Sequence, residues 1–138
     1  MKKLFLMLAI AGFLTSSYAQ TLTINDVPAA VTKTFNKTHP KVDTVQWSKT
    51  GDAFKASYMV KAKNMAVTYT ALGKLKETES QISVAALPTT VLKYINENYP
   101  KDVVKWSSTV TNAKGKLIYA VKIQGKDLTF DSNGKIIA

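Results

Sequence analysis

The chain contains no cysteine and no arginine, and it has a single histidine, four prolines and two tryptophans. Without cysteine there is no disulfide and no thiolate metal site, so stability must come from an apolar core. A hydrophobic fraction of 46% supports one. Without arginine the planar fork that reads guanine, phosphate or carboxylate in a bidentate manner is missing. That argues against a specific nucleic-acid reader, and no nucleic-acid partner is expected. The apolar run at residues 4–14 falls short of the roughly 20 residues needed to cross a bilayer, so no membrane span is expected in the mature chain.

That run follows Met1, Lys2 and Lys3 and precedes Ser17 and Ala19 in small-x-small spacing. A basic start, a short apolar stretch and small residues at a cleavage point predict a signal peptide over residues 1–19, cleaved after Ala19. Export to the periplasm or the medium follows. The remaining residues, 20–138, have the length of one domain.

Basic residues number 19 against 9 acidic ones, a formal net charge of +10. All of them are lysine, spread along the chain, and two leave with the leader. Such a balance implies attraction to anionic surfaces or simple solubility.

The chain repeats itself. Pro28, Val31, Lys33, Asn36, Pro40 and Lys41 recur 60 positions later as Pro88, Val91, Lys93, Asn96, Pro100 and Lys101; Tyr58, Val60, Thr68, Gly73 and Lys74 recur after 61 as Tyr119, Val121, Thr129, Gly134 and Lys135. Repeat 1 spans about 23–80 and repeat 2 about 83–138. Val27, Val31 and Phe35, and likewise Leu87, Val91, Ile95 and Tyr99, follow i, i+4 spacing and predict one amphipathic helix per half. Pro28 and Pro88 suit a first turn. His39 and Tyr99, each before a proline, close the helices over 28–38 and 88–98.

Beyond each helix the apolar period changes to two. Alternating runs at 45–47, 58–62, 67–69, 104–106, 117–123 and 128–130 predict strands, with turns at 50–52, 63–64, 125–126 and 131–134. Asn133-Gly134 suits a type I′ hairpin. Each half then reads as a helix followed by four antiparallel strands, and the stretch 77–84 joins the halves. Alternation puts Trp47, Tyr58, Val60, Val67 and Tyr69 under the first helix, with Trp106, Tyr119, Val121, Leu128 and Phe130 under the second. Trp47 and Trp106 are therefore expected in the core. The opposite face collects Lys61, Lys63, Thr68, Lys105, Lys122, Gln124 and Thr129, with Gln46, Ser48, Met59 and Ser107, and is expected to stay wet.

The Leu/Val-Pro-x-x-Val helix start, the Tyr/His-Pro stop, the tryptophan beyond it and the Phe-Asp-x-Asn-Gly-Lys hairpin resemble the PepSY-like family of exported bacterial proteins, also described as β-lactamase-inhibitor-protein-like. The resemblance covers nearly all of 20–138. It implies an α+β fold: two helix-plus-four-strand units side by side, joined into one curved eight-stranded sheet. It also implies a periplasmic or extracellular location and no particular activity. Leu72-Gly73 in place of Asn133-Gly134, His39 in place of tyrosine, and a more basic sheet face depart from the family pattern.

The residue inventory points away from an enzyme. His39 sits in a packing or capping position, and the nine carboxylates form no pair at a catalytic spacing. Phosphate-loop, dinucleotide, nucleophile-elbow and zinc motifs are all missing. Glu77 and Glu79 share one strand face and are expected to meet lysines. No cofactor and no metal are expected. The function expected is that of a non-enzymatic exported binding module, whose open sheet face, through Lys61, Lys63, Thr68, Lys105, Lys122, Gln124 and Thr129, binds an envelope protein or an anionic polymer. An inhibitor- or propeptide-like role is what the resemblance adds. The alternative is a carrier or sensor of a small ligand held between helix and sheet, around Trp47 and Trp106.

Overall fold

The computed structural model describes residues 20–138, so the expected leader lies outside the described residues. Eight strands form one antiparallel sheet in sequential order: β1 (Gln20–Leu22), β2 (Gln46–Thr50), β3 (Ala53–Val60), β4 (Lys63–Tyr69), β5 (Leu75–Gln81), β6 (Trp106–Asn112), β7 (Leu117–Ile123) and β8 (Lys126–Asp131). Helices α1 (Ala29–Thr38) and α2 (Thr89–Asn98) pack on one side of it.

Both helices start and stop for the reasons their prolines supply. Pro28 and Pro88 stand one place before the first turn, as caps, and each carbonyl accepts the first regular helix bond, from Thr32 at 3.2 Å and Leu92 at 3.1 Å, and an otherwise orphan N–H, from Val31 at 2.9 Å and Val91 at 3.0 Å. His39 and Tyr99 leave the helical region but still donate their N–H to Phe35 and Ile95 at 2.8 and 2.7 Å. The proline that follows each cannot extend the helix. The i, i+4 stripes are buried as expected: Val31 and Phe35 meet Trp47, Phe54, Ala56, Tyr58, Val67 and Tyr69, whereas Val91 and Ile95 meet Val121, Ile123, Leu128 and Phe130. Each such side chain contributes about 1.5–3 kcal/mol by leaving water.

The strands are shared out differently from the expected four per helix. The first edge is β1, which precedes α1 and pairs with β2. The connecting stretch is strand β5, hydrogen-bonded to β4 on one side and β6 on the other. It ends the first unit and starts the second, which is why the two halves form one sheet. The second unit has three named strands, and its fourth is reduced to the bridge Phe130↔Ile136, which matches Tyr69↔Leu75 in the first.

Two turns also differ. The β3–β4 hairpin closes at Lys61-Ala62, with φ of 50° and 64°, while Lys63 and Asn64 already belong to β4. This is the hairpin with positive φ at both central positions, and it uses no glycine. At Asn133-Gly134 only the glycine is left-handed, at φ 82°. There the Gly134 N–H closes on the Asp131 carbonyl at 2.9 Å and Asp131 N–H reaches Lys135 at 2.8 Å, a three-residue loop of the type I plus left-handed kind. Asp131 Oδ1 accepts from the N–H groups of Asn133 and Lys135, both at 2.9 Å. A Cβ on Gly134 would run into Thr90 of α2, and one on Gly73 would lie 2.6 Å from the Ala30 carbonyl oxygen of α1. These loops are thus seated on the helix starts.

Candidate binding face

The register lines up the face opposite the helices. Its cross-strand rows are Gln46–Ser57–Ala66–Glu79–Val110–Ile118, Ser48–Lys55–Thr68–Glu77–Asn112 and Met59–Asn64–Gln81–Ser108–Ala120–Thr129. The two halves of this face differ in chemistry. On the β6–β8 side Val110, Ile118 and Ala120 form a small apolar cluster, covered by Ile137 of the C-terminal segment. That segment is tied to β8 by Thr129, which accepts from Ile137 N–H and donates to the Ala138 carbonyl, both at 2.7 Å. On the β3–β5 side the centre is charged.

At that centre Lys55 Nζ lies 4.0 Å from Glu79 Oε2. Ser108 Oγ donates to Glu79 Oε1 at 2.8 Å, and the Trp106 indole beside it also favours the charged carboxylate. Burial nevertheless raises the Glu79 pKa and lowers that of Lys55, each shift led by desolvation. A pair this long does not recover the cost of taking both charges from water. Glu77, two residues away on the same face, is pushed up to about 6, first by desolvation and then by the Glu79 charge, with Lys76 and Lys55 pulling the other way. Between Lys55 and Glu77 in register stands Thr68, 6% exposed, whose buried hydroxyl has no hydrogen-bond partner.

The residues expected on a wet face are distributed as follows. Lys122 is exposed on the open face beside Trp106 and Asp127. Thr68 and Thr129 are on it but buried. Lys61 is at the tip of the β3–β4 hairpin, Gln124 is at the β7–β8 turn, and Lys105 immediately precedes β6 with its N–H on the Lys122 carbonyl at 2.7 Å. Lys63 pairs with Val60 and so takes the helix side of the sheet, beyond the end of α1. Ser107 also faces the helix side, its Oγ donating to the Ile82 carbonyl at 2.8 Å. Because β3, β5 and β7 run the same way, Lys61, Lys105, Lys122 and Gln124 gather at one end of the sheet. Val60, expected under α1, is 44% exposed, since the strand outruns the helix.

The tryptophans part company. Trp47 is 5% exposed in the first core, against Phe35 at 5.5 Å between ring centroids. Trp106 is half-buried on the open face, and Ser107 takes the core position beside Val121. The two helix-to-strand loops, 39–45 and 99–105, are equally long, and the second tryptophan comes one place earlier in its strand: Trp47 stands seven places after Pro40 and Trp106 six after Pro100. In a strand a one-residue shift changes the face. That difference in parity was the signal available in the sequence. No single cavity can hold both rings, although a groove of about 470 Å3 beside β1 reaches Phe35 and Trp47.

His39 stacks on Phe35 at 4.7 Å, meets Tyr58 edge-on at 5.3 Å, and shares a 2.8 Å hydrogen bond with Thr38 through Nδ1. This is the packing role its position suggested. Among the described residues no group of three or more His, Asp or Glu side chains is placed to hold a metal ion, and no helix is long and apolar enough to cross a membrane.

A two-helix, eight-stranded sheet with one helix-free face defines a class of two-repeat α+β proteins. The chain belongs to the family described as "Putative beta-lactamase-inhibitor-like, PepSY-like", which matches residues 14–77 and again 58–138. Among solved structures it is similar to a protein of the DUF2874 family from Bacteroides uniformis, with 21% identity and a TM-score of 0.72 over 81% of this chain and 87% of that one. A BLIP-like protein from Bacteroides fragilis is 23% identical with a TM-score of 0.59, over 80% of this chain and 84% of that one. One from Bacteroides eggerthii, described as a "putative periplasmic" protein, is 16% identical with a TM-score of 0.74, over 81% of this chain and 86% of that one. These likenesses establish the fold. No curated protein matches the chain.

Proposed function

We propose that this protein is a non-enzymatic, exported binding module, inhibitor- or propeptide-like, that holds an envelope protein through the helix-free face of its sheet. Family membership and the periplasmic description of a neighbour support the class and the compartment. The observation that carries the reading is the face itself. It is one side of an eight-stranded sheet with no helix packed on it, charged at its centre and bordered at one end by Lys61, Lys105 and Lys122. Those lysines favour an acidic surface on the partner, or an anionic polymer in its place.

The test is capture from envelope extract at low and high salt, with wild type beside Lys61→Glu/Lys122→Glu. The expected result is a partner held by wild type, lost by the variant and released by salt, because exposed charges are screened. A partner held equally by both would move the site away from this end of the sheet. The groove beside Trp47 supports a second reading, carriage of a small apolar ligand, for which native mass spectrometry of the purified protein would show bound mass.

A further inference from the structure

We propose that the groove beside the end of the β3–β4 hairpin seats one apolar side chain of the partner, the size of leucine or methionine, carried on a segment whose flanking residues are acidic. This deepens the binding reading above and rests on it. The groove has a volume of about 690 Å3 and is formed by Val42, Asp43 and Thr44 of the loop after α1 with Tyr58, Met59 and Val60 of β3. That is room for a side chain and the backbone bearing it. The groove goes with the longer of two hairpins. The pairs Phe54↔Tyr69 and Tyr119↔Phe130 hold matching places, each beside the pairing to Leu75 or to Ile136. From there the ladder runs seven pairs in the first hairpin, to Val60↔Lys63, and five in the second, to Ile123↔Lys126. Met59 and Val60 belong to the two extra pairs and are 60% and 44% exposed. Val121, which repeats Val60 in the sequence, is fully buried in the second core.

The chemistry of the occupant follows from the recess and its rim taken separately. Inside, Lys41 and Asp43 are the charged residues, one of each sign, so the recess selects neither a cation nor an anion. Single exposed apolar residues are ordinary on a surface, but here Val42, Tyr58, Met59 and Val60 share one recess, which takes an uncharged side chain. Met59, unbranched and polarizable, adapts to the shape of that side chain. At the rim the balance is one-sided. Lys61 stands in the turn next to Val60, Lys63 pairs with Val60, and no acidic residue occurs between Asp52 and Glu77. Carboxylates flanking the anchor therefore meet lysines. A bilayer fits less well, because the apolar groups line a recess while the hairpin tip that would enter the lipid carries Lys61.

The methionines make the test selective. Of the four, Met1 and Met7 fall in the expected leader, which leaves Met59 in the groove and Met65 packed against the first core. The mature chain, 13C-labelled at its methionine methyls, is titrated with acetyl-Glu-Leu-Glu-amide and, separately, with acetyl-Glu-Ser-Glu-amide and acetyl-Lys-Leu-Lys-amide. The expected result is a saturable shift of the Met59 signal that is strongest with the first peptide, while Met65 stays still. Val60→Ser, at an exposed position where folding is not at stake, should weaken the response on the order of fivefold, as loss of an apolar contact does. No saturable shift, an equal shift with either control peptide, or an undiminished response in Val60→Ser would overturn the anchor. So would a Met59 response to phosphatidylglycerol vesicles with none to the peptide, which would assign the groove to a membrane surface. A partner captured in the salt test without any peptide response refutes the anchor alone, and a peptide response without a captured partner refutes only the reading of the face.

Discussion

Replacing Glu77 with glutamine should stabilise the protein at neutral and higher pH and leave it unchanged in acid. Burial, and after it the Glu79 charge, pushes the folded carboxyl up to about 6 from an ordinary 4.5. Below 4.5 it is protonated in both states and costs nothing. Between 4.5 and about 6 the unfolded chain gives up its proton while the folded chain keeps it, so stability falls as pH rises. Above that the cost is constant. At about 1.4 kcal/mol for each tenfold difference in acidity the limit is about 2 kcal/mol. Solvent reaching the side chain should bring the measured figure to about 1–2 kcal/mol. Urea denaturation of both proteins at about pH 4 and about pH 8, read as midpoint shifts at a common slope, measures it. Some slope should survive in the variant, because Glu79 is raised as well. A variant less stable than wild type at high pH would mean that Glu77 is held in a favourable pair with Lys55. An equal gain at both pH values would mean that the charge is irrelevant.

Lys61 and Ala62 occupy the left-handed region without being glycine. Replacing them with Asn-Gly should therefore add about 1–2 kcal/mol, seen as a rise in thermal midpoint. Gly134→Ala should cost several kcal/mol, since the new methyl meets Thr90 of α2 at φ 82°; Gly115→Ala, at φ 83° in open space, should cost only about 1 kcal/mol by the same melt. Trp47→Ala should cost about 3–5 kcal/mol as a full core deletion, and Trp106→Ala clearly less. In the single-tryptophan variants, acrylamide should quench Trp106 far more than Trp47.

Much of this architecture is local and therefore legible in the sequence. Val31 and Phe35 one turn apart, fenced by Pro28 and Pro40, mark a short helix with one apolar stripe to bury, and Val91 and Ile95 repeat the device. Alternation after the second proline makes strands, and two copies of the pattern make an antiparallel sheet with two helices on it. The α+β class follows from those periods, while the family rested on the proline, tryptophan and Asn-Gly motifs and on the match to its model. Register is what alternation leaves open. A tryptophan one place earlier in an equally placed strand turned Trp106 out of the core and put Ser107 there, although both tryptophans follow the same motif. The turn at Lys61-Ala62 sent Lys63 to the helix side. The charged centre lay furthest from sight, because Lys55, Thr68, Glu77 and Glu79 come from three strands and meet only across β4. Side-chain period is a property of a few consecutive residues, but burial and pairing across a sheet depend on which strand lies beside which, and only the assembled tertiary structure decides that.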